Sequence, residues 1–156
     1  MINIRKATTA DAKLISDWNR AMAWETEHKD LPEPVILRGV QRLIEKPVYG
    51  FYLLAEIDGS IAGTLMVTTE WSDWRDGLFW WIQSVYVAPE FRRKGVYRAL
   101  YNEVKSLAKQ HPDVCGYRLY VEKDNEVAQR TYEQLGMHRT DYFMYEEMTS
   151  NTADKS

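Results

Sequence analysis

A chain of 156 residues suits one domain, long enough to bury a core and short for two. Its net charge of -3, with 28% charged residues of both signs spread along it, excludes a broad nucleic-acid footprint. The single cysteine, Cys115, excludes an intramolecular disulfide, the opening Met1-Ile2-Asn3-Ile4-Arg5-Lys6 has no apolar leader, and no apolar run reaches membrane-spanning length. These features lead us to expect a cytoplasmic protein without membrane or nucleic-acid partners. One domain over residues 1–148 and a flexible polar tail over 149–156 are expected.

In chain order, Ile2 and Ile4 alternate with polar neighbours as in a short strand. Thr8 followed by Asp11 is a capping-box-like helix start, and Leu14, Ile15, Trp18 and Met22 then recur at helical spacing. A second helix is predicted over 35–45, with Ile36, Val40, Leu43 and Ile44 on one face and Pro47 closing it. Residues 49–57 and 61–69 read as strands joined by the hairpin turn Asp58-Gly59, and 71–77 as a loop. A central strand follows over 78–87, with Phe79, Trp81, Gln83, Val85 and Val87 on one face and Trp80, Ile82, Ser84 and Tyr86 on the other. Beyond Pro89 a basic loop leads into a helix whose stripe is Val96, Leu100, Val104, Leu107 and Ala108. A strand over 117–121, a helix over 126–135 with Gly136 as its C-cap, and a last strand over 138–147 complete the pattern. The fold class expected is α/β, more closely a three-layer α+β arrangement with a mixed, mostly antiparallel sheet and helices on both faces.

The most informative stretch is Val85-Tyr86-Val87-Ala88-Pro89-Glu90-Phe91-Arg92-Arg93-Lys94-Gly95-Val96-Tyr97-Arg98. A strand, a glycine turn and a helix start aim backbone N–H groups and the positive helix end at one point, where an anion such as pyrophosphate is favoured. A lone Arg-x-x-Gly is also what an ordinary basic turn looks like. Downstream, Asn125, Ala128, Tyr132 and Gly136 form Asn-x-x-Ala-x-x-x-Tyr-x-x-x-Gly, which places Asn125 at a helix N-cap and Tyr132 one turn beyond Ala128.

Together, in this order, the two stretches resemble the GNAT N-acetyltransferases, with the likeness running over residues 49–147. Tyr97 departs from it, since the family usually carries Gly or Ala there, and close backbone approach to a pyrophosphate requires that side chain to turn away. The resemblance implies acetyl-CoA as cosubstrate, bound by Val85, Tyr86, Val87, Arg92, Arg93, Lys94, Gly95, Val96, Tyr97, Arg98 and Asn125. It implies that two strands splay to admit pantetheine, that an amine attacks the thioester directly, and that Tyr132 protonates the departing thiolate. It also permits a homodimer.

Family members acting on diamines place a glutamate where Gln83 stands, and Gln83 takes no proton. Substitute bases or acceptor contacts are Glu25, Glu27, Glu70 and Asp73, and these acids with Asp76 and the tryptophans around Trp71 suit a small cationic amine. Of Trp71, Trp74, Trp80 and Trp81 most are expected in the core, and Cys115 is expected as a small buried hydrophobe before a strand. His28, His111 and His138 lack ligand spacing, so no metal site is expected. The rival readings are an acyl-CoA-binding sensor without turnover, which Gln83 and Tyr97 suggest, and a protein lysine or N-terminal acetyltransferase.

Overall fold

A computed structural model describes residues 1–150, and the expected tail falls outside the described residues from residue 151 on. The chain divides into two compact units, Met1–Leu119 and Tyr120–Ser156.

The first unit is built on a five-stranded sheet in the order β1-β2-β3-β4-β5. Its strands are β1 (Ile2–Lys6), β2 (Phe51–Ile57), β3 (Ser60–Ser72), β4 (Gly77–Val87) and β5 (Val114–Arg118). The first four are antiparallel neighbours and β5 runs parallel to β4, as a crossover through a helix requires. Asp58 and Gly59 both adopt positive φ, the left-handed pair that a two-residue hairpin needs, and β2 and β3 close on them through Ile57↔Ser60. β3 extends to Ser72, so Trp71 belongs to a strand where a loop was expected, and a short turn over Asp73–Arg75 makes the return.

Helix α1 (Ala12–Glu27) follows a single 3-10 turn over Thr9–Asp11, at which Thr8 and Asp11 form the expected capping box. Asp11 also takes two hydrogen bonds from Arg5 at 2.9 Å, which together with that cap hold its carboxyl below the usual carboxylate range. Helix α2 (Glu33–Glu45) begins with Pro34 in its first turn. Both helices cover one face of the sheet, where Ala12, Ile15, Val40 and Leu43 pack with Tyr52 and Leu54. Helix α3 (Val96–Ala108) covers the other face and buries Val96, Leu100, Tyr101 and Val104. The architecture is therefore the expected mixed sheet with helices on both faces.

Between β3 and β4 the register jumps: Thr64 pairs with Tyr86 but Met66 with Gln83, so Leu65 opposes two residues, Ser84 and Val85. This is a β-bulge, and Ser84 takes φ 51 to make it. Residues directly opposite share a face, so Tyr86 lies with Gln83 and Trp81 on the α1 side. Simple alternation had placed Tyr86 opposite Gln83, and the extra residue corrects that.

In the second unit α4 (Glu126–Gln134) is capped by Asn125, whose side chain accepts from the Ala128 N–H at 3.1 Å. Residues 138–147 are not a strand, contrary to expectation. A strand exists only when its N–H and C=O groups find a ladder; here Tyr142, Phe143 and Tyr145 stand 72%, 82% and 93% exposed.

Two predictions arise from the core. A Cβ at Gly63 would stand 2.8 Å from Cγ1 of buried Val96 and 3.1 Å from the Tyr86 carbonyl oxygen, so β3 and the first turn of α3 meet only because that position is glycine. Gly63→Ala is expected to lower stability by about 1–3 kcal/mol in denaturant unfolding. Tyr52 is 4% exposed, and burial pushes its phenol up to about 12 from the usual 10.0 although a hydrogen bond with Asn19 opposes the shift. Above pH 10 the unfolded chain sheds this proton while the folded one keeps it, so stability complete below that pH is lost toward pH 12, by about 3 kcal/mol. Tyr52→Phe is expected to flatten that alkaline limb when unfolding is followed against pH.

Candidate active site

β4 and β5 pair only as far as Trp81↔Arg118, although β4 continues for six residues to Val87. β5 ends at Arg118, so beyond Trp81 no ladder bond from β5 reaches β4. Ala88 N–H bonds the Ala62 carbonyl at 2.9 Å on the β3 side. Since backbone groups alternate sides along a strand, the N–H and C=O of Val87 point away from β3, and its C=O accepts from Arg92 Nε at 2.9 Å. The bulge sits beyond the last pair with β5.

The end of the β4–β5 ladder is held by side chains. Arg118, the last paired residue of β5, reaches back over β4 to Glu70 on β3 at 2.6 Å, with its guanidinium 3.7 Å above the Phe79 ring. Trp81 Nε1 donates to the same carboxylate at 3.2 Å. One further step along this face, Gln83 donates to Thr68 Oγ1 at 3.0 Å.

At the open end of β4, Pro89–Phe91 form a 3-10 turn and the chain enters α3 through Arg93 at φ 62 and Gly95 at φ 79. The left-handed turn at Gly95 costs little because it carries no Cβ. The first intrahelical bond runs from the Ala99 N–H to the Gly95 carbonyl at 3.0 Å, so the preceding N–H groups project from the helix end. Arg93, Lys94 and Arg98 are exposed around it. This arrangement is suited to an anion, through N–H donors, helix dipole and flanking cations together. Tyr97 does turn away from the loop: its ring stacks on Tyr101 one turn along α3, with centroids 6.1 Å apart.

Of the residues singled out from the sequence, Val85, Tyr86, Val87, Arg92, Arg93, Lys94, Gly95, Val96, Tyr97 and Arg98 lie together along the open edge of β4 and the start of α3. Glu25 is brought to the same region from the end of α1: Tyr86 donates its hydroxyl to Oε1 at 3.1 Å, and Arg92 reaches Oε2 at 3.0 Å. The Tyr86 phenol is held above its ordinary range, first by burial and then by that carboxylate. Glu27 and Asp73 are exposed, at the end of α1 and in the β3–β4 turn. Trp71 and Trp74 are also exposed, at 58% and 84%, while Trp80 is buried and Trp81 half-buried. The expected tryptophan core thus reduces to the pair on β4. Cys115 is exposed within β5 instead of buried ahead of it.

In the second unit Tyr132 is half-buried on α4, and burial raises its phenol above the ordinary value. Two residues missed in the sequence are Arg118 and Thr68, both ordinary strand residues until the register is known.

The acetyltransferase (GNAT) family model matches residues 12–137. A search of curated proteins found no match. Among solved structures, a possible acetyltransferase from Clostridium difficile 630 is 42% identical at a TM-score of 0.88, with 96% of this chain and 98% of that one covered. A predicted acetyltransferase from Clostridium acetobutylicum, solved with acetyl-CoA, is 18% identical at a TM-score of 0.77, with 94% and 96% covered. AAC(6')-Iy, in complex with the bisubstrate analogue CoA-S-monomethyl-acetylneamine, is 16% identical at a TM-score of 0.75, with 96% and 99% covered, and with the preceding structure it shares the fold. The family match over most of the chain and the 42% identity to the first of these show that this protein belongs to the acetyltransferase (GNAT) family.

Proposed function

We propose that the protein is an N-acetyltransferase that moves an acetyl group from acetyl-CoA to a primary amine by direct attack, and that the acceptor is a small cationic amine. The observation that carries this reading is the end of the β4–β5 ladder at Trp81↔Arg118, six residues short of the end of β4, with the start of α3 beyond it. A thioester arm lying along that stretch of β4 would find the backbone of Val85 and Val87, and its diphosphate would meet the helix end with Arg93, Lys94 and Arg98 around it. Asn125 spends its side-chain oxygen on the α4 cap and keeps its amide N–H groups for the pantetheine or phosphate arm.

In the reaction the amine nitrogen bonds to the thioester carbon, the carbon–sulfur bond breaks, and the thiolate leaves with the electron pair. Tyr132 donates the proton that the thiolate needs, and its raised phenol stays protonated through the neutral range. The amine must first lose its own proton. Gln83 cannot take it, and the carboxylates whose hydrogen bonds reach β4 on that side include Glu25 and Glu70. With Trp81 between Glu70 and Gln83, that side presents acids and aromatic surface, which support a cationic acceptor.

Free-thiol release from acetyl-CoA across diamines, amino acids, aminoglycosides and peptides tests the reading. Turnover is expected with one class of small amine, and Tyr132→Phe is expected to lower kcat by about 100-fold, the usual scale of a lost general acid. Turnover on peptides alone would make the protein a peptide acetyltransferase. Tight acetyl-CoA binding with no turnover would make it a sensor.

A further inference from the structure

Arg92 opens the basic loop and would ordinarily be counted among the phosphate contacts. Its guanidinium is otherwise committed. Nε donates to the Val87 carbonyl at 2.9 Å, Nη2 to Glu25 Oε2 at 3.0 Å, and its plane lies 5.5 Å over the Tyr86 ring. The other oxygen of Glu25 takes the Tyr86 hydroxyl at 3.1 Å. Tyr86 in turn packs against Trp18 at 5.4 Å, so the end of β4 touches α1 at two positions seven residues, or about two turns, apart. Three elements are joined here: α1, the end of β4 and the loop before α3. By contrast Arg93, Lys94 and Arg98 stand exposed around the helix start.

We propose that Arg92 is a positioning residue and not an anion contact: clamped by Glu25 and Tyr86, it fixes the open end of β4 and the cosubstrate loop to helix α1. The anion is left to the helix end and to Arg93, Lys94 and Arg98. The inference rests on the acetyltransferase reading and deepens it, because α1 also covers the face that carries Gln83 and Glu70. Through this clamp the loop and the acceptor face move as one body.

The test compares acetyl-CoA with acetyl-pantetheine, the same thioester without the nucleotide and its phosphates. Arg93→Gln is expected to lower kcat/KM for acetyl-CoA only. Arg92→Gln and Glu25→Gln are each expected to lower kcat/KM for both thioesters by about tenfold, the scale of a lost hydrogen bond to a charged group. The double variant should be no worse than the worse single, because both remove one interaction. An Arg92→Gln defect confined to acetyl-CoA would overturn the proposal, as would full additivity with Glu25→Gln, which would give Glu25 a separate role. If the wild type turns over neither thioester, the acetyltransferase reading fails by itself, and a thermal-unfolding cycle on the same variants decides the clamp. The same cycle decides it if acetyl-CoA alone reacts. Non-additive shifts in Tm support it and additive shifts end it.

Discussion

The ladder between β4 and β5 stops at Trp81↔Arg118, and most of the site follows from that interruption. A central strand normally satisfies its backbone on both sides, so an open stretch inside a sheet leaves N–H and C=O groups seeking partners. Two features keep the end of the ladder where it is. Arg118 is tied across β4 to Glu70, so the last paired residue of β5 is anchored to β3 as well as to its neighbour. Gly116, two residues earlier, lets β5 lie so close that a Cβ there would stand 2.7 Å from the Phe79 ring. Before that end the strands are drawn together; beyond it the bulge at Ser84 interrupts the register of β4 with β3.

The two faces of the sheet divide the work. The α3 face is apolar, with Leu53, Leu65, Val67, Ile82 and Leu100 all buried. On the α1 face Ser16, Asn19 and Thr64 are buried, and the Ser16 Oγ, Asn19 Oδ1 and Thr64 Oγ1 atoms have no hydrogen-bond partner among the described residues. A sheet selected only for stability would carry that polarity elsewhere. It lies on the face that continues through Thr68, Gln83 and Glu70, where local consistency gives way as it tends to at functional sites.

How much of this could be read from the sequence depends on distance along the chain. Asp58-Gly59, the Thr8–Asp11 capping box, the Asn125 cap and the Arg-x-x-Gly turn are local, and each is legible in a few residues. The bulge is not: Ser84 and Arg93 adopt positive φ without being glycine, so nothing in their identity announces it. That one unannounced residue moved Tyr86 to the opposite face and into reach of Glu25. The pairs that shape the site join residues far apart, 67 positions for Arg92 and Glu25 and 48 for Arg118 and Glu70, and only the packing of α1 on the sheet and the strand register bring them together. The segment 138–147 differs for the converse reason: its composition is strand-like, but a pairing partner decides.

Tyr97 shows how the loop tolerates a large residue where the family usually has a small one. The left-handed turn at Gly95 already supplies the backbone geometry, so the side chain two positions on need only leave the helix end clear. It does so by stacking on Tyr101, which is 2% exposed and meets Tyr117 of β5 edge-on at 6.0 Å. The aromatic contacts therefore fasten the start of α3 to β5, while Arg92 ties the loop to β4 through Val87. The start of α3, tied to both strands, keeps its place relative to the end of their ladder without depending on any single contact. An exposed ion pair such as Arg92–Glu25 contributes at most about 1 kcal/mol to stability, so its value lies in geometry. A residue outside the usual pattern at position 97 thus becomes part of the device that aims the helix.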